Sequence, residues 1–143
     1  MKKPLIAGAV AAVLCTVALN SNAGSGKSPA DKSALVAHGE YLVKELGQCA
    51  DCHTPMNEMG QYVQGKWLQG TKLTFAPTVP VPGWADSSAN IAGLPGWDHA
   101  KAVQFFTTGL APNGQPARPP MPAYHMTKAD AEAVVAYLES LKK

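Results

Sequence analysis

A Cys-x-x-Cys-His motif constrains this chain more than any other feature of its sequence. The motif consists of Cys49, Cys52 and His53. Two thiols three positions apart lie on one face of a helical turn, where they can add to the two vinyl groups of one porphyrin. The neighbouring imidazole is then placed to reach the iron as an axial ligand. The motif therefore predicts a covalently attached c-type haem, with Cys49 and Cys52 as attachment points.

Two other uses of a Cys-x-x-Cys pair fit the chain less well. A structural zinc site needs four ligands, usually with a second Cys/His pair at close spacing, and the sequence contains no such pair. A thioredoxin-like redox pair is expected between a strand and a helix of a βαβ unit, and no such pattern surrounds the motif.

The first 23 residues have the pattern of a secretory signal peptide. Lys2 and Lys3 precede an uncharged apolar stretch over residues 4–19, and the small residues that end at Ala23 are typical of a cleavage site. The apolar stretch is shorter than the ~20 residues that a membrane-spanning helix needs. We therefore expect export to the periplasm and cleavage after Ala23.

Cleavage there would leave a flexible leader over residues 24–29 and one domain over residues 30–143. It would remove Cys15, so Cys49 and Cys52 would be the only thiols of the mature chain. The basic count would fall from 12 to 10 against 10 acidic residues, which gives no net charge. With no basic stripe and no phosphate-binding motif, the composition argues against nucleic acids and nucleotides as partners.

Hydrophobic periodicity predicts an all-α domain with three main helices. The first covers about residues 30–46 and leads into the haem-binding turn. The second follows an N-cap at Asp98, runs to about Thr108 and ends at Gly109. The third begins at Thr127. The predicted inward-facing residues are Leu35, Leu42 and Leu46 in the first helix, Val103 and Phe106 in the second, and Ala131, Val134, Val135, Leu138 and Leu141 in the third.

Residues 54–96 show neither a helical nor a strand period. Five prolines in this range exclude long helices and central strands. Such long irregular stretches are uncommon in small domains, but loops can wrap a large apolar ring in place of a conventional core. The apolar residues available for this wrapping are Trp67, Leu68, Leu73, Phe75, Val79, Val81, Trp84 and Ile91.

Met121 is the leading candidate for the second axial ligand. It lies in the string Arg118-Pro119-Pro120-Met121-Pro122, where prolines on both sides make the loop stiff and extended. Iron held by His and Met is the electron-transfer arrangement, and the thioether raises the reduction potential. His125 is an open alternative, since bis-His ligation also occurs. The side chain of Arg118 could hydrogen-bond a haem propionate or lie exposed to solvent.

With these residues in place, the chain resembles the class I c-type cytochromes, and most closely the small bacterial monohaem proteins. The resemblance covers residues 30–143 and is carried by the motifs Cys49 to Pro55 and Pro119 to Pro122, followed by Tyr124 and the last helix. It implies a cytochrome c fold, in which three main helices and long loops surround one covalent haem.

The same resemblance implies more about particular residues and about function. It implies that the first and last helices cross near a glycine, for which Gly39 and Tyr137 are the matching positions, and that His53 and Met121 are the axial ligands. Similar proteins carry electrons from periplasmic dehydrogenases toward oxidases, some as subunits of the dehydrogenase. We therefore expect an electron carrier rather than an enzyme, with a dehydrogenase as donor and an oxidase or another cytochrome as acceptor.

Two alternatives stay open at this point. The chain could be a haem subunit fixed within a larger dehydrogenase complex. It could also be a haem enzyme or gas sensor with an open sixth position, which would require a distal acid–base group such as His125 near the iron.

Overall fold

The computed structural model describes residues 28–142. The predicted signal peptide, its cleavage site and most of the predicted leader lie outside this range. Within it, the regular structure is helical apart from three isolated β-bridges. The helices are α1 (Pro29–Tyr41), a π-helical turn (Leu42–Leu46), α2 (Cys49–His53), α3 (His99–Thr108) and α4 (Lys128–Ser140). No helix in the described range is long and apolar enough to cross a membrane.

Helices α1 and α4 cross in direct contact at a glycine. Gly39 is the buried residue of α1, and a Cβ built on it would lie 2.9 Å from the Cβ of Tyr137 in α4. Only glycine lets the two backbones approach this closely. The crossing implied by the family resemblance, at Gly39 and Tyr137, is confirmed.

The π-helical turn changes the inward face of the first helix. The Gly47 N–H donates to the carbonyl of Leu42 at 2.8 Å, which is the i→i+5 bond of a π-helix. As a result Val43 is 1 % exposed, whereas Leu46 is 63 % exposed. The prediction that Leu46 faces inward was wrong, because the 3.6-residue period of an α-helix does not continue through this turn.

Side-chain caps place the other two main helices as predicted. The carboxylate of Asp98 accepts a hydrogen bond from the Lys101 N–H and begins α3, which ends at Gly109 with a φ of 74°. The hydroxyl of Thr127 accepts from the Asp130 N–H and begins α4. The buried residues of α4 are Ala131, Ala133, Val134, Val135, Tyr137 and Leu138, which include most of the predicted stripe, and Leu141 packs against them.

Residues 54–98 form turns and isolated bridges, as the prolines predict. Their most ordered part is a hairpin-like segment, called here the 71–88 loop, which the bridge between Lys72 and Ser87 closes. The Leu73 N–H donates to the Asp86 carbonyl and the Ser88 N–H donates to the carbonyl at position 71, both at 2.8 Å. This loop lies beside the segment that carries Met121.

Candidate haem-binding site

A cavity of about 410 Å³ lies between α2, the 71–88 loop, α3 and residues 111–124. Its lining includes all four residues that the sequence predicts for the site: Cys49, Cys52, His53 and Met121. Residues that are up to 72 positions apart in the sequence therefore face one common space.

Helix α2 supplies both thiols from a single turn. Gln48 precedes it in a left-handed conformation, with a φ of 46°, and Cys49 and Cys52 are both half-buried and free of disulfides. Burial raises the pKa of the Cys49 thiol to about 11 and, together with the charge of Asp51, also raises the pKa of Cys52. Both thiols are therefore protonated at neutral pH, unlike a thioredoxin-type pair, which needs a lowered thiol pKa.

His53 ends α2 as a buried and oriented imidazole. Its Nδ1 donates to the carbonyl oxygen of Ala89 at 2.7 Å, which leaves the lone pair of Nε2 free to bind a metal. Burial lowers the pKa of His53, against a smaller opposing effect of the Ala89 hydrogen bond. The ring is therefore neutral at neutral pH, which is the protonation state that coordination requires.

Met121 reaches the cavity from the proline-rich loop. It is half-buried, and its N–H donates to the carbonyl of Arg118 at 3.1 Å, which closes a turn. His125 is exposed and is not among the residues that line the cavity. Of the other methionines in the described range, Met126 packs against the core and Met59 is 77 % exposed.

The side chain of Arg118 binds the protein's own backbone. Its Nε donates to the carbonyl of Gly83 at 2.9 Å and its Nη2 donates to the carbonyl of Trp84 at 2.8 Å. The neighbouring Ala85 N–H donates to the carbonyl of Pro119 at 2.7 Å. Three hydrogen bonds thus join the 71–88 loop to the start of the Met121 segment, a contact that no local sequence signal predicted.

These residues fit a covalently bound haem better than a bare metal ion. In the described range, no group of three or more His, Cys, Asp or Glu side chains could hold a metal ion. The site instead offers two protonated thiols on one helical turn, one neutral imidazole, one thioether and apolar walls. That set of donors matches a porphyrin with one covalent link to each thiol.

The comparison with known families agrees with this fit. The cytochrome c family profile matches residues 36–142. The chain belongs to the cytochrome c family. It is a c-type cytochrome that carries covalently bound haem c and takes part in electron transfer.

Individual relatives point in the same direction. The cytochrome is 30 % identical over 110 residues to the fructose dehydrogenase cytochrome subunit of Gluconobacter japonicus, an alignment covering 72 % of this chain and 21 % of the relative. It is 29 % identical to a dihaem c-type cytochrome of Cereibacter sphaeroides, covering 71 % of this chain and 33 % of the relative. It is also 29 % identical to the cytochrome c subunit of a quinone-type alcohol dehydrogenase from Gluconobacter oxydans, covering 82 % and 26 %. The chain therefore spans between a fifth and a third of these relatives' length.

The walls of the cavity differ from those expected of this cytochrome. Of the eight apolar loop residues available for wrapping the ring, Leu73 and Ile91 line the cavity. Leu68 lies in the core, and Trp67 donates its Nε1–H to the hydroxyl of Tyr137 at 3.1 Å. Phe75 and Trp84 stack on each other instead, with centroids 6.1 Å apart, and Val79 is exposed. Most of the available apolar residues therefore do not line the cavity, and Phe75 and Trp84 instead pack on each other within the 71–88 loop.

Aromatic residues outside that loop complete the lining. They are Trp97, Phe105, Phe106 and Tyr124, which form a chain of ring contacts with centroids 5.3–6.1 Å apart. Of these four rings, helical periodicity predicted an inward position only for Phe106. The adjacent Phe105 is only partly buried, and it lines the cavity through its ring contacts with Trp97 and Phe106.

Proposed function

We propose that this cytochrome is a periplasmic one-electron carrier whose haem is attached through Cys49 and Cys52 and ligated by His53 and Met121. The observation that carries the proposal is that these four side chains line one apolar cavity. The bound haem supplies the one-electron Fe(II)/Fe(III) couple. The chain's part is to hold that group in a fixed and mostly apolar surrounding.

Each side chain supports a particular part of this function. The hydrogen bond from His53 to Ala89 fixes the tautomer and orientation of the ring, so that Nε2 is the nitrogen that would bind the iron. A thioether is a weak ligand that raises the reduction potential, so Met121 suits an electron acceptor. Because the walls are apolar, little solvent has to reorganise when the charge of the iron changes.

The relatives suggest the kind of redox partner. Two of them are cytochrome subunits of a fructose and an alcohol dehydrogenase. We therefore propose a dehydrogenase as the electron donor and an oxidase or another cytochrome as the acceptor. The same names favour a second candidate, in which this chain is a haem subunit fixed within a dehydrogenase complex.

A haem enzyme or gas sensor is the less favoured alternative. It would need an open sixth position and a distal acid–base group. His125, the candidate for that group, is exposed and does not line the cavity. Met121 does line it, which supports a carrier with both axial positions filled.

The optical spectrum of the protein isolated from the periplasm tests this proposal. We expect sharp reduced bands, a far-red ferric band from a sulfur ligand and no response of the ferrous protein to carbon monoxide. A high-spin ferric spectrum with ready carbon monoxide binding would favour catalysis or sensing instead. Absence of haem in a strain that matures other c-type cytochromes would overturn the proposal.

The cellular context needs two further measurements. Periplasmic fractionation, followed by mass determination of the isolated protein, tests export and cleavage after Ala23. Size-exclusion chromatography of a native extract separates the two partner hypotheses. A free carrier elutes at the size of one chain, whereas a fixed subunit elutes together with a dehydrogenase.

A further inference from the structure

One short segment, residues 83–89, contacts the neighbourhoods of both proposed axial ligands. At one end, the carbonyl of Ala89 accepts the hydrogen bond from Nδ1 of His53 at 2.7 Å. At the other end, Gly83 and Trp84 accept from the guanidinium of Arg118, three residues before Met121. A single stretch of backbone therefore connects the two sides of the cavity.

At the Met121 end, both the backbone carbonyl and the side chain of Arg118 take part in this connection. The carbonyl of Arg118 accepts the Met121 N–H at 3.1 Å and so shapes the turn that carries the thioether. Its guanidinium holds that turn against the 71–88 loop through two hydrogen bonds, from Nε and Nη2, to successive carbonyls. Such a fork restricts orientation as well as distance, which one bond from a flexible ammonium cannot do.

The 71–88 loop, which accepts the hydrogen bonds of Arg118, is itself anchored to the haem-binding turn. The Gly70 N–H donates to the carbonyl of His53 at 2.7 Å, and Gly70 packs so closely on residues 88–90 that a Cβ there would lie 2.6 Å from the Ser88 carbonyl oxygen. Edge-to-face stacking of Phe75 on Trp84 supports the segment near its Arg118 contact. The guanidinium of Arg118 therefore binds a segment whose position relative to His53 is fixed.

We propose that Arg118 is a positioning residue that holds the Met121 thioether at the iron, with the 71–88 loop as its anchor. The inference rests on the proposed ligation by Met121. It also gives a role to the 71–88 loop, which connects the Met121 segment to the residues that contact His53. A thioether binds iron weakly, so the geometry imposed by the chain decides whether a competing ligand can replace it.

Imidazole titration of the ferric protein, followed at the far-red sulfur-to-iron band, tests this role. We expect Arg118→Gln to raise the apparent imidazole affinity by about tenfold to a hundredfold, as the loss of one or two hydrogen bonds implies. Arg118→Lys keeps the charge but loses the fork, so we expect most of the same increase. The carbon monoxide reactivity of the ferrous variants should rise in parallel.

Two control variants separate positioning from other effects. Lys72→Gln removes one positive charge from the same loop, at an exposed position, and should leave imidazole affinity within about twofold of wild type. Val43→Ala destabilises the core without touching the loop, and should also leave it unchanged. An increase with Val43→Ala as large as with Arg118→Gln would overturn the proposal, since general loosening would then explain the result.

The remaining outcomes are equally decisive. If both Arg118 variants bind imidazole like the wild type, the arginine does not position Met121. If only Arg118→Gln differs while Arg118→Lys behaves as wild type, the positive charge and not the fork is responsible, which overturns positioning by the two hydrogen bonds. A wild-type protein without the far-red ferric band would contradict Met121 ligation itself, and so would remove the basis of both proposals by a separate observation.

Discussion

Gly39 of α1 lies against Ala133 of α4 so closely that a Cβ on the glycine would fall 1.9 Å from the alanine carbonyl oxygen. That atom belongs to the backbone of a buried helix and cannot turn aside as a side chain can. The contact brings together the two ends of the described chain, and the rest of the core packs against these helices.

This contact reverses the usual effect of replacing glycine in a helix. By helix propensity alone, Gly39→Ala should stabilise α1 by about 1 kcal/mol. We expect it instead to lower the free energy of unfolding by about 3 kcal/mol, because the helices must move apart. Denaturant unfolding of the holoprotein measures the change. Ala37→Gly, on the exposed face of α1, is the matched control and should cost only about 1 kcal/mol; a stabilised Gly39→Ala protein would contradict the contact.

The two thiols of α2 should account for all covalent attachment of haem. We expect Cys49→Ser and Cys52→Ser to retain haem through one thioether each, and the double variant to retain none after denaturation. Haem staining of a denaturing gel, with the reduced pyridine spectrum of each variant, measures this. Cys15→Ser is the control and should leave attachment intact. Covalent haem in the double variant would show that the motif has been assigned wrongly.

Replacing Met121, the proposed distal ligand, should change the reduction potential and leave the sixth coordination position of the iron open. We expect Met121→Ala to lower the reduction potential on the order of 0.1 V or more, within the ~0.8 V range that axial ligands set. The ferrous variant should bind carbon monoxide rapidly. His125→Ala, an exposed residue outside the cavity lining, should change neither property. If the reduction potential and carbon monoxide binding change in His125→Ala but not in Met121→Ala, Met121 is not the distal ligand.

The pair formed by His38 and Asp130 makes part of the stability dependent on pH. Nε2 of His38 lies 2.8 Å from the Asp130 carboxylate, which also accepts from the Thr127 hydroxyl at 2.7 Å. The hydrogen bond from His38, and after it that from Thr127, holds the pKa of Asp130 below its usual value. A carboxylate with a lowered folded-state pKa stabilises the protein above about pH 4, and this contribution disappears as the pH falls through the folded-state value.

We therefore expect Asp130→Asn to lower the Tm near pH 6, with the difference from wild type closing as the pH falls below about 4. Thermal unfolding measured across this range checks the prediction. Val134→Ala, an apolar change in the same helix, should lower the Tm at every pH and serves as the comparison. An Asp130→Asn difference that persists undiminished at pH 3 would mean that the carboxylate's charge is not responsible.

Local signals in the sequence predicted most of the helices correctly. Asp98, Gly109 and Thr127 begin or end helices through hydrogen bonds and conformations confined to one turn, so neighbouring residues suffice to recognise them. The prediction failed at Leu46, where one π-helical turn shifts the inward face. A single i→i+5 bond leaves no mark in the hydrophobic pattern.

The candidate site likewise has a part that the sequence predicted and a part that it did not. Its four candidate residues could be named from the sequence because Cys49, Cys52 and His53 form one short motif and Met121 lies in a recognisable proline-rich string, and all four line the cavity. Its walls were not predictable, because the 71–88 loop turns its aromatic side chains onto each other and leaves rings from α3 and Tyr124 to line the cavity. Which of two apolar surfaces a ring packs against depends on contacts across the whole domain.

The sequence by itself thus determined the haem-attachment motif and the ends of α3 and α4 at Asp98, Gly109 and Thr127, since each rests on residues within a turn of one another. Tertiary structure alone decided that Arg118 binds the carbonyls of Gly83 and Trp84, 35 and 34 residues away, and that His53 binds the carbonyl of Ala89, 36 residues away. Backbone carbonyls are the same at every residue. Only the folding of the intervening loop determines which of them a distant side chain meets.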